Sequence, residues 1–211
     1  ENSDKLFRNL GNGQFADVSV IAGIGALPAV QSVGAIAGDV DNDGFQDILI
    51  TTFFNAKTML LHNQGDGTFA HIPNAINDDM DWKTAASFGD VNKDGLLDVY
   101  LTAYVFNGVL IYNANNEAIG FDHDCNPNQL FINNGNLTFT NVTATYGVAD
   151  EGCALGVAFT DYDNDQDVDI LLANDFGEWV LPSALFQNQY PITDLADVSV
   201  ATNMNAELYG M

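Results

Sequence analysis

The 211-residue sequence predicts an all-β fold built from repeated units of four short antiparallel strands. Two observations support this fold class. An acidic nine-residue segment occurs three times, and a Leu-Phe/Leu-x-Asn segment followed by a glycine-containing turn recurs around it. Short apolar runs, many of them β-branched, flank both kinds of segment, and runs of this length between turn residues are typical of strands. The sequence shows no helical pattern of useful length.

The acidic segments, named here acidic loops one, two and three, are residues 39–47, 90–98 and 161–169. Each has oxygen-bearing side chains at positions 1, 3, 5 and 9, and loops one and two have Gly at position 6, where a tight turn often needs a positive φ. Converging carboxylates repel one another and favour a hard cation, and Ca²⁺ accepts many oxygen ligands in flexible geometry. The predicted side-chain ligands are Asp39, Asp41, Asp43 and Asp47, then Asp90, Asn92, Asp94 and Asp98, then Asp161, Asp163, Asp165 and Asp169.

An EF-hand loop begins in a similar way but ends with a bidentate Glu at position 12. Position 12 is apolar in all three copies, namely Ile50, Leu101 and Leu172. The flanking runs favour strands rather than helices, so the sequence predicts a calcium loop at the tip of a β-hairpin. An acidic, solvated turn without metal is the alternative.

The second repeated segment occurs at residues 6–15, 60–69 and 130–139, and a fourth copy begins at 185–188 and then loses the pattern. Each copy predicts a hairpin, so one repeat has four strands, and four strands in roughly 40–50 residues are typical of a β-propeller blade. The prediction is a single region, 1–211, forming a partial propeller with three complete repeats and half-repeats at both ends. Its parts are a half-blade at 5–19, blades at about 33–73, 84–143 and 155–200, and a terminal strand at 203–211. Residues 104–128 are predicted to be an inserted long loop.

Charge and composition restrict the partners. The net charge of −24, from 29 acidic and 5 basic residues, argues against nucleic acid or an anionic membrane as partner. No apolar run is long enough to span a bilayer, so we expect no membrane insertion. The acidic, lysine-poor composition suits an extracellular, secreted protein, in which Cys125 and Cys153 form either a disulfide or two buried thiols. Asn136 and Asn141 begin N-glycosylation triplets.

These residues give the chain a family resemblance. The acidic loops with their flanking strands, together with the Leu-Phe-x-Asn hairpins, resemble the FG-GAP/VCBS repeats of integrin α-subunit propellers and of secreted proteins of the cartilage-acidic-protein type. The resemblance implies a β-propeller with Ca²⁺ in its hairpin loops, ligated also by the position-7 backbone carbonyls of Phe45, Leu96 and Asp167. Two departures affect the sites: Asn92 replaces an acid in loop two, and Gln166 replaces Gly in loop three.

The expected function is that of an extracellular module binding about three Ca²⁺ ions, non-catalytic and structural or interacting in role. Its partners would be other copies of itself or extracellular proteins and glycans. Because family propellers usually have seven blades, the chain is either part of a longer protein or completed by other copies through strand complementation into fibres. The alternatives are a ligand- or carbohydrate-binding adhesion propeller and an ancillary calcium domain of a polysaccharide-active enzyme. No catalytic motif is present in the sequence, and no catalytic residue is predicted.

Overall fold

A computed structural model describes residues 4–79 and 81–205, and most of their regular structure is β-strand. The strands form two hairpins and three four-stranded antiparallel sheets. The first hairpin consists of β1 (Phe7–Gly11) and β2 (Gln14–Asp17). Sheet one consists of β3 (Ser32–Gly38), β4 (Asp47–Thr52), β5 (Met59–Asn63) and β6 (Phe69–Ile72). The predicted all-β fold class is confirmed.

Sheet two is interrupted in sequence by the second hairpin. Its strands β7 (Lys83–Gly89) and β8 (Asp98–Ala103) come first, and the hairpin of β9 (Val105–Tyr112) and β10 (Ala118–Cys125) follows. The sheet is then completed by β11 (Gln129–Asn133) and β12 (Phe139–Asn141). Sheet three consists of β13 (Ala154–Thr160), β14 (Asp169–Asn174), β15 (Ala184–Gln189) and β16 (Ile192–Asp197). In sheets one and three, strands that are neighbours in the sheet are also consecutive in the chain, and the same holds in sheet two when the inserted hairpin is left aside.

The prediction of a long loop at residues 104–128 is wrong, because β9 and β10 form an antiparallel pair there, with a register shift near each end. Leu110 lies opposite Phe121, and Asn107 lies opposite Asp124. The segment is rich in Val, Ile, Phe and Tyr, which favour strands, and an Asn-rich turn joins its two halves. The repeat pattern hid this signal, because the hairpin has no counterpart in the other repeats.

The described residues contain two single-turn helices. A 3-10 helix (Ile24–Ala26) lies between β2 and β3, and α1 (Thr143–Tyr146) follows β12. No helix among residues 4–79 and 81–205 is long and apolar enough to cross a membrane. The terminal strand predicted at 203–211 is not found in its described part, because residues 203–205 are outside any strand. Residues 206–211 lie outside the described residues.

The first strands of the three sheets, β3, β7 and β13, pack against one another in chain order. Glycine permits this close approach at the end of two of these strands. A Cβ on Gly38 would lie 2.8 Å from a ring carbon of Phe88, and one on Gly89 would lie 2.4 Å from Phe159. The sheets are therefore stacked through their first strands, with an aromatic ring of one sheet over a glycine of the preceding sheet.

The core lies between successive sheets. In β8, Val99 and Leu101 contribute to the cluster between sheets one and two, whereas Tyr100 contributes to the cluster between sheets two and three. This alternation follows from the two-residue period of a strand. All six residues of β8 are buried, so the second strand of sheet two is covered on both faces. The division of the chain into blades at the predicted boundaries stays a prediction.

Candidate metal sites

The three acidic loops occupy equivalent places in the three sheets, because each joins the first strand to the second. Loop one connects β3 to β4, loop two connects β7 to β8, and loop three connects β13 to β14. Since the first strands pack side by side, the loops lie together at one end of the stack. The Nδ2 of Asn42 in loop one donates to the carbonyl of Gly95 in loop two at 2.9 Å, which places these two loops in contact.

The position-1 aspartate organises each loop. In loop one, Oδ1 of Asp39 accepts the backbone N–H of Asp43 at 3.1 Å, and Oδ2 accepts that of Gly44 at 2.9 Å. The same pair of bonds is present in loops two and three. The position-5 carboxylate accepts the N–H of position 7, as Asp43 does from Phe45 at 2.8 Å. Each loop is thus held in its turn by its own side chains.

The backbone adopts a positive φ at positions 4 and 6 in all three loops. Position 4 is Asn42, Lys93 or Asn164, with φ of 59°, 56° and 63°. Position 6 is Gly44 or Gly95 in the first two loops, as the sequence predicts. In loop three, Gln166 has a φ of 72°, so the departure from glycine leaves the turn unchanged and adds local strain.

The position-9 aspartate has a different role from the others, because it is completely buried in all three loops. In loop two, Oδ2 of Asp98 accepts the N–H of Val91 at 2.9 Å and Oδ1 accepts that of Asn133 at 2.9 Å. Asp47 and Asp169 make the equivalent pairs of bonds. Burial raises the pKa of Asp98 to about 7, although the two N–H donors act in the opposite direction. This residue joins its loop to the third strand of its own sheet.

Oxygen atoms converge in loops one and three. One carboxylate oxygen from each of Asp39, Asp41 and Asp43 lies within 4.8 Å of the others, and one from each of Asp161, Asp163 and Asp169 does the same. Burial raises the pKa of Asp41, and the neighbouring Asp43 and Asp47 charges raise it further. An all-oxygen set of carboxylates in an open turn is the donor chemistry that Ca²⁺ prefers.

Loop two has one carboxylate fewer than loop one at positions 1, 3, 5 and 9. Its position 3 is Asn92, whose Nδ2 donates to Oδ2 of Asp94 at 2.9 Å. At position 7, the side chain of Phe45 is exposed and that of Leu96 is partly buried, whereas the buried carboxylate of Asp167 makes an ion pair with Lys93 and accepts the N–H of Tyr190 at 2.8 Å. The ligand roles of all fifteen predicted residues stay predictions.

Sequence reasoning missed a residue of the third strand that approaches position 3. It is the variable residue of Leu-Phe/Leu-x-Asn. Nδ1 of His62 lies 3.0 Å from Oδ1 of Asp47 and 3.7 Å from Oδ2 of Asp41, and Nε2 of Gln187 donates to Asp163 at 2.6 Å. Its polar character in two of three repeats was the available signal, since Ile132 takes this place in sheet two.

The two cysteines form a disulfide, with a Cα–Cα distance of 5.1 Å between Cys125 and Cys153. Of the two alternatives open in the sequence, the bridge is therefore correct. It fastens the end of β10 to the residue that precedes β13.

The two glycosylation triplets have a structural explanation. Oδ1 of Asn136 accepts both the N–H and the hydroxyl of Thr138, and Asn141 does the same with Thr143. An aspartate two residues before a Ser or Thr makes the same turn elsewhere, at Asp17, Asp66 and Asp197. The Asn-x-Thr pattern is thus accounted for by turn geometry.

Comparison with known families agrees with this repeated architecture. The model of the FG-GAP-like repeat matches three times, at residues 1–50, 39–101 and 111–172. No curated protein matches the chain. The matched segments cover most of the sequence and include all three acidic loops. The chain therefore belongs to the FG-GAP-like repeat family.

Proposed function

We propose that this chain is a calcium-binding repeat module that works outside the cell as a structural or interaction element and catalyses no reaction. One observation carries the proposal: three acidic loops at one end of the stacked sheets share the same hydrogen-bond scaffold, and carboxylate oxygens converge in loops one and three. Their donor set suits Ca²⁺ better than Mg²⁺, which prefers a strict octahedron and retains its waters. About three Ca²⁺ ions would be held, one in each loop.

The cation would act mainly on stability. Twelve of the 29 acidic residues belong to the loops, and they lie close together in a chain with a net charge of −24. Repulsion among them opposes the folded state, and an ion bound to the folded state alone stabilises it by an amount that grows with the logarithm of the ratio of its concentration to its dissociation constant. We infer that calcium contributes folding free energy by neutralising this end of the sheets.

We further propose that the three sheets are blades of a partial β-propeller. Their in-order strands and the stacking of their first strands support this arrangement. The disulfide and the strong negative charge favour an extracellular protein, because disulfides persist in oxidising compartments. The chain shares its repeats with the FG-GAP-like family, and we infer from these repeats that it interacts with other molecules.

The experiment is calcium binding measured by calorimetry on metal-free protein, combined with thermal unfolding. Chelation is expected to lower the melting temperature, and Ca²⁺ is expected to restore it better than Mg²⁺. Asp43→Ala, Asp94→Ala and Asp165→Ala should each remove one site, because each deletes the position-5 carboxylate. Asp122→Ala is the matched control, since Asp122 is exposed and lies outside the loops. Metal-free protein that takes up no calcium would refute the proposal.

A second proposal concerns assembly between copies of the chain. Within residues 4–79 and 81–205, the hairpin β1–β2 pairs with no third strand, and its large apolar side chains Phe7, Leu10 and Phe15 are each at least half exposed. Unpaired strand edges favour pairing with another chain. We propose that a second copy adds strands at this hairpin, and a head-to-tail contact of this kind produces fibres when it does not close. Light scattering and electron microscopy, with and without chelator, test this, and a monomer at every concentration would contradict it.

A further inference from the structure

Neighbouring acidic loops are bonded to each other through position 4. Nδ2 of Asn42 in loop one donates to the carbonyl of Gly95, which is position 6 of loop two. The ammonium of Lys93, position 4 of loop two, forms an ion pair with Oδ1 of Asp167, position 7 of loop three. The same place in two successive loops thus contacts the same part of the next loop.

This place matters for any bound cation. Position 4 lies between the predicted ligands at positions 3 and 5, and it has a positive φ in every loop. The atoms that it contacts belong to positions 6 and 7 of the next loop, which follow the predicted ligand at position 5, and position 7 is itself a predicted ligand through its backbone carbonyl. A change in the turn of one loop would therefore act directly on the ligand-bearing turn of its neighbour.

A second link runs in the opposite direction. Nδ2 of Asn133, on β11 of sheet two, donates to the carbonyl of Val40 in loop one at 2.7 Å. The backbone N–H of the same residue is held by Asp98, position 9 of loop two. Asn188 repeats this arrangement, because its Nδ2 reaches Val91 in loop two at 2.8 Å and its N–H is held by Asp169. Each pair of neighbouring loops thus has two separate connections.

We propose that the three acidic loops bind cations as a coupled array, with the position-4 side chain acting as a positioning residue for the site of the next repeat. This inference rests on the calcium binding proposed above. An ion that orders one loop fixes its position-4 side chain and so lowers the cost of ordering the next loop. The coupling is reciprocal, so an ion in loop two must favour binding in loop one by the same factor.

The two links have different properties, which decides where the proposal can be tested. The Asn133 and Asn188 bonds are buried and connect each sheet to the loop of the preceding sheet, so their loss would also disturb the packing of the sheets. Lys93 carries a charge, so its removal would also change the attraction of loop three for a cation. Asn42 is neutral and exposed, and its bond joins two loops directly. It is therefore the residue to change.

The test is a calcium titration of metal-free protein followed by NMR with ¹⁵N-glycine labelling. Gly44 and Gly95 occupy position 6 of loops one and two, and loop three has Gln166 there, so the two glycine amides report the two loops separately. Asn42→Gly removes the bond and tolerates the positive φ. Asn164→Gly is the matched control, because it makes the same change in loop three, where the described residues show no bond from Asn164 to another loop.

In the unmodified chain, Gly44 and Gly95 are expected to titrate together, and emptying loop two with Asp94→Ala should weaken the Gly44 response by about fivefold or more. In Asn42→Gly this effect of Asp94→Ala should shrink to less than about twofold, whereas Asn164→Gly should preserve it. Independent midpoints that Asn42→Gly leaves unchanged would overturn the coupling while leaving calcium binding intact. If neither glycine responds to calcium in the unmodified chain, the proposed function fails together with the coupling.

Discussion

Replacing the buried position-9 aspartate of loop two, in Asp98→Ala, provides the sharpest test of the fold. The carboxylate of Asp98 is fully buried and accepts two backbone N–H groups, one from Val91 in its own loop and one from Asn133 on the third strand. Alanine fills none of this role. Both donors would remain buried beside a small void, because the loop and the strand are held by neighbouring contacts.

The expected cost follows from these contacts. Each buried N–H group left without an acceptor costs about 1–3 kcal/mol, so the loss of both acceptors costs about 2–6 kcal/mol. Burial raises the pKa of Asp98 to about 7, which means that keeping its charge in the folded protein is itself unfavourable. Removing that charge returns part of the loss, and we expect a net destabilisation of about 2–4 kcal/mol at pH 7.

The assay is urea unfolding in the presence of chelator, so that the result is independent of any bound ion. Asp43→Ala is the control. Asp43 stands at position 5 of loop one, and its carboxylate is exposed and accepts the N–H of Phe45 in the same loop. Without calcium it should change stability by less than about 1 kcal/mol. Asp98→Asn should fall between the two, because it retains one acceptor oxygen. Equal stability of Asp98→Ala and Asp43→Ala in chelator would refute the reasoning.

Three further predictions concern packing, the disulfide and pH. Gly89→Ala should destabilise the protein by about 1–3 kcal/mol, because its Cβ would lie 2.4 Å from Phe159, and unchanged denaturant unfolding would contradict the close packing of the first strands. Replacing Cys125 and Cys153 by Ala should lower the free energy of unfolding by about 3.5 kcal/mol through loss of loop closure over 28 residues, and a loss below about 1 kcal/mol would argue against it. Burial raises the pKa of Asp78 above its ordinary 3.8, so the folded state binds this proton more tightly than the unfolded state does. The stabilisation from Asp78 is therefore lost as pH rises from about 4 through the raised pKa, and Asp78→Asn in chelator should show a flatter dependence of melting temperature on pH between those limits.

Much of the fold was predictable because turn residues and short apolar runs alternate regularly. The strands beside the acidic loops are found where β-branched runs such as 48–50 and 99–101 predict them, and the positive φ at position 6 follows from the preference for Gly there. The fourth Leu-Phe-x-Asn segment loses its sequence pattern after Asn188, yet Gln187 still pairs with Ala196 in a hairpin. Strand pairing there depends on the neighbouring strand rather than on the turn signature.

The sequence could not predict which of the loop residues are buried, because burial depends on the tertiary structure. The oxygen side chains at positions 1, 3, 5 and 9 are equivalent in the sequence pattern, but Asp47 is buried and bonded to the third strand whereas Asp43 is exposed. The contact of Asn42 with Gly95 spans 53 residues, and that of Asn188 with Val91 spans 97, so no local pattern predicts them. The hairpin β9–β10 was missed because it lies outside the repeat.

The bond from the third-strand asparagine to the preceding loop has a consequence for how such a chain can change in length. Asn133 and Asn188 both donate to the backbone carbonyl of position 2, Val40 and Val91, and a backbone carbonyl is available whatever residue stands there. This bond between a repeat and its predecessor therefore does not depend on which side chain the predecessor has at position 2. A genetic duplication or deletion of one whole repeat would therefore leave a suitable acceptor for this bond at the new junction.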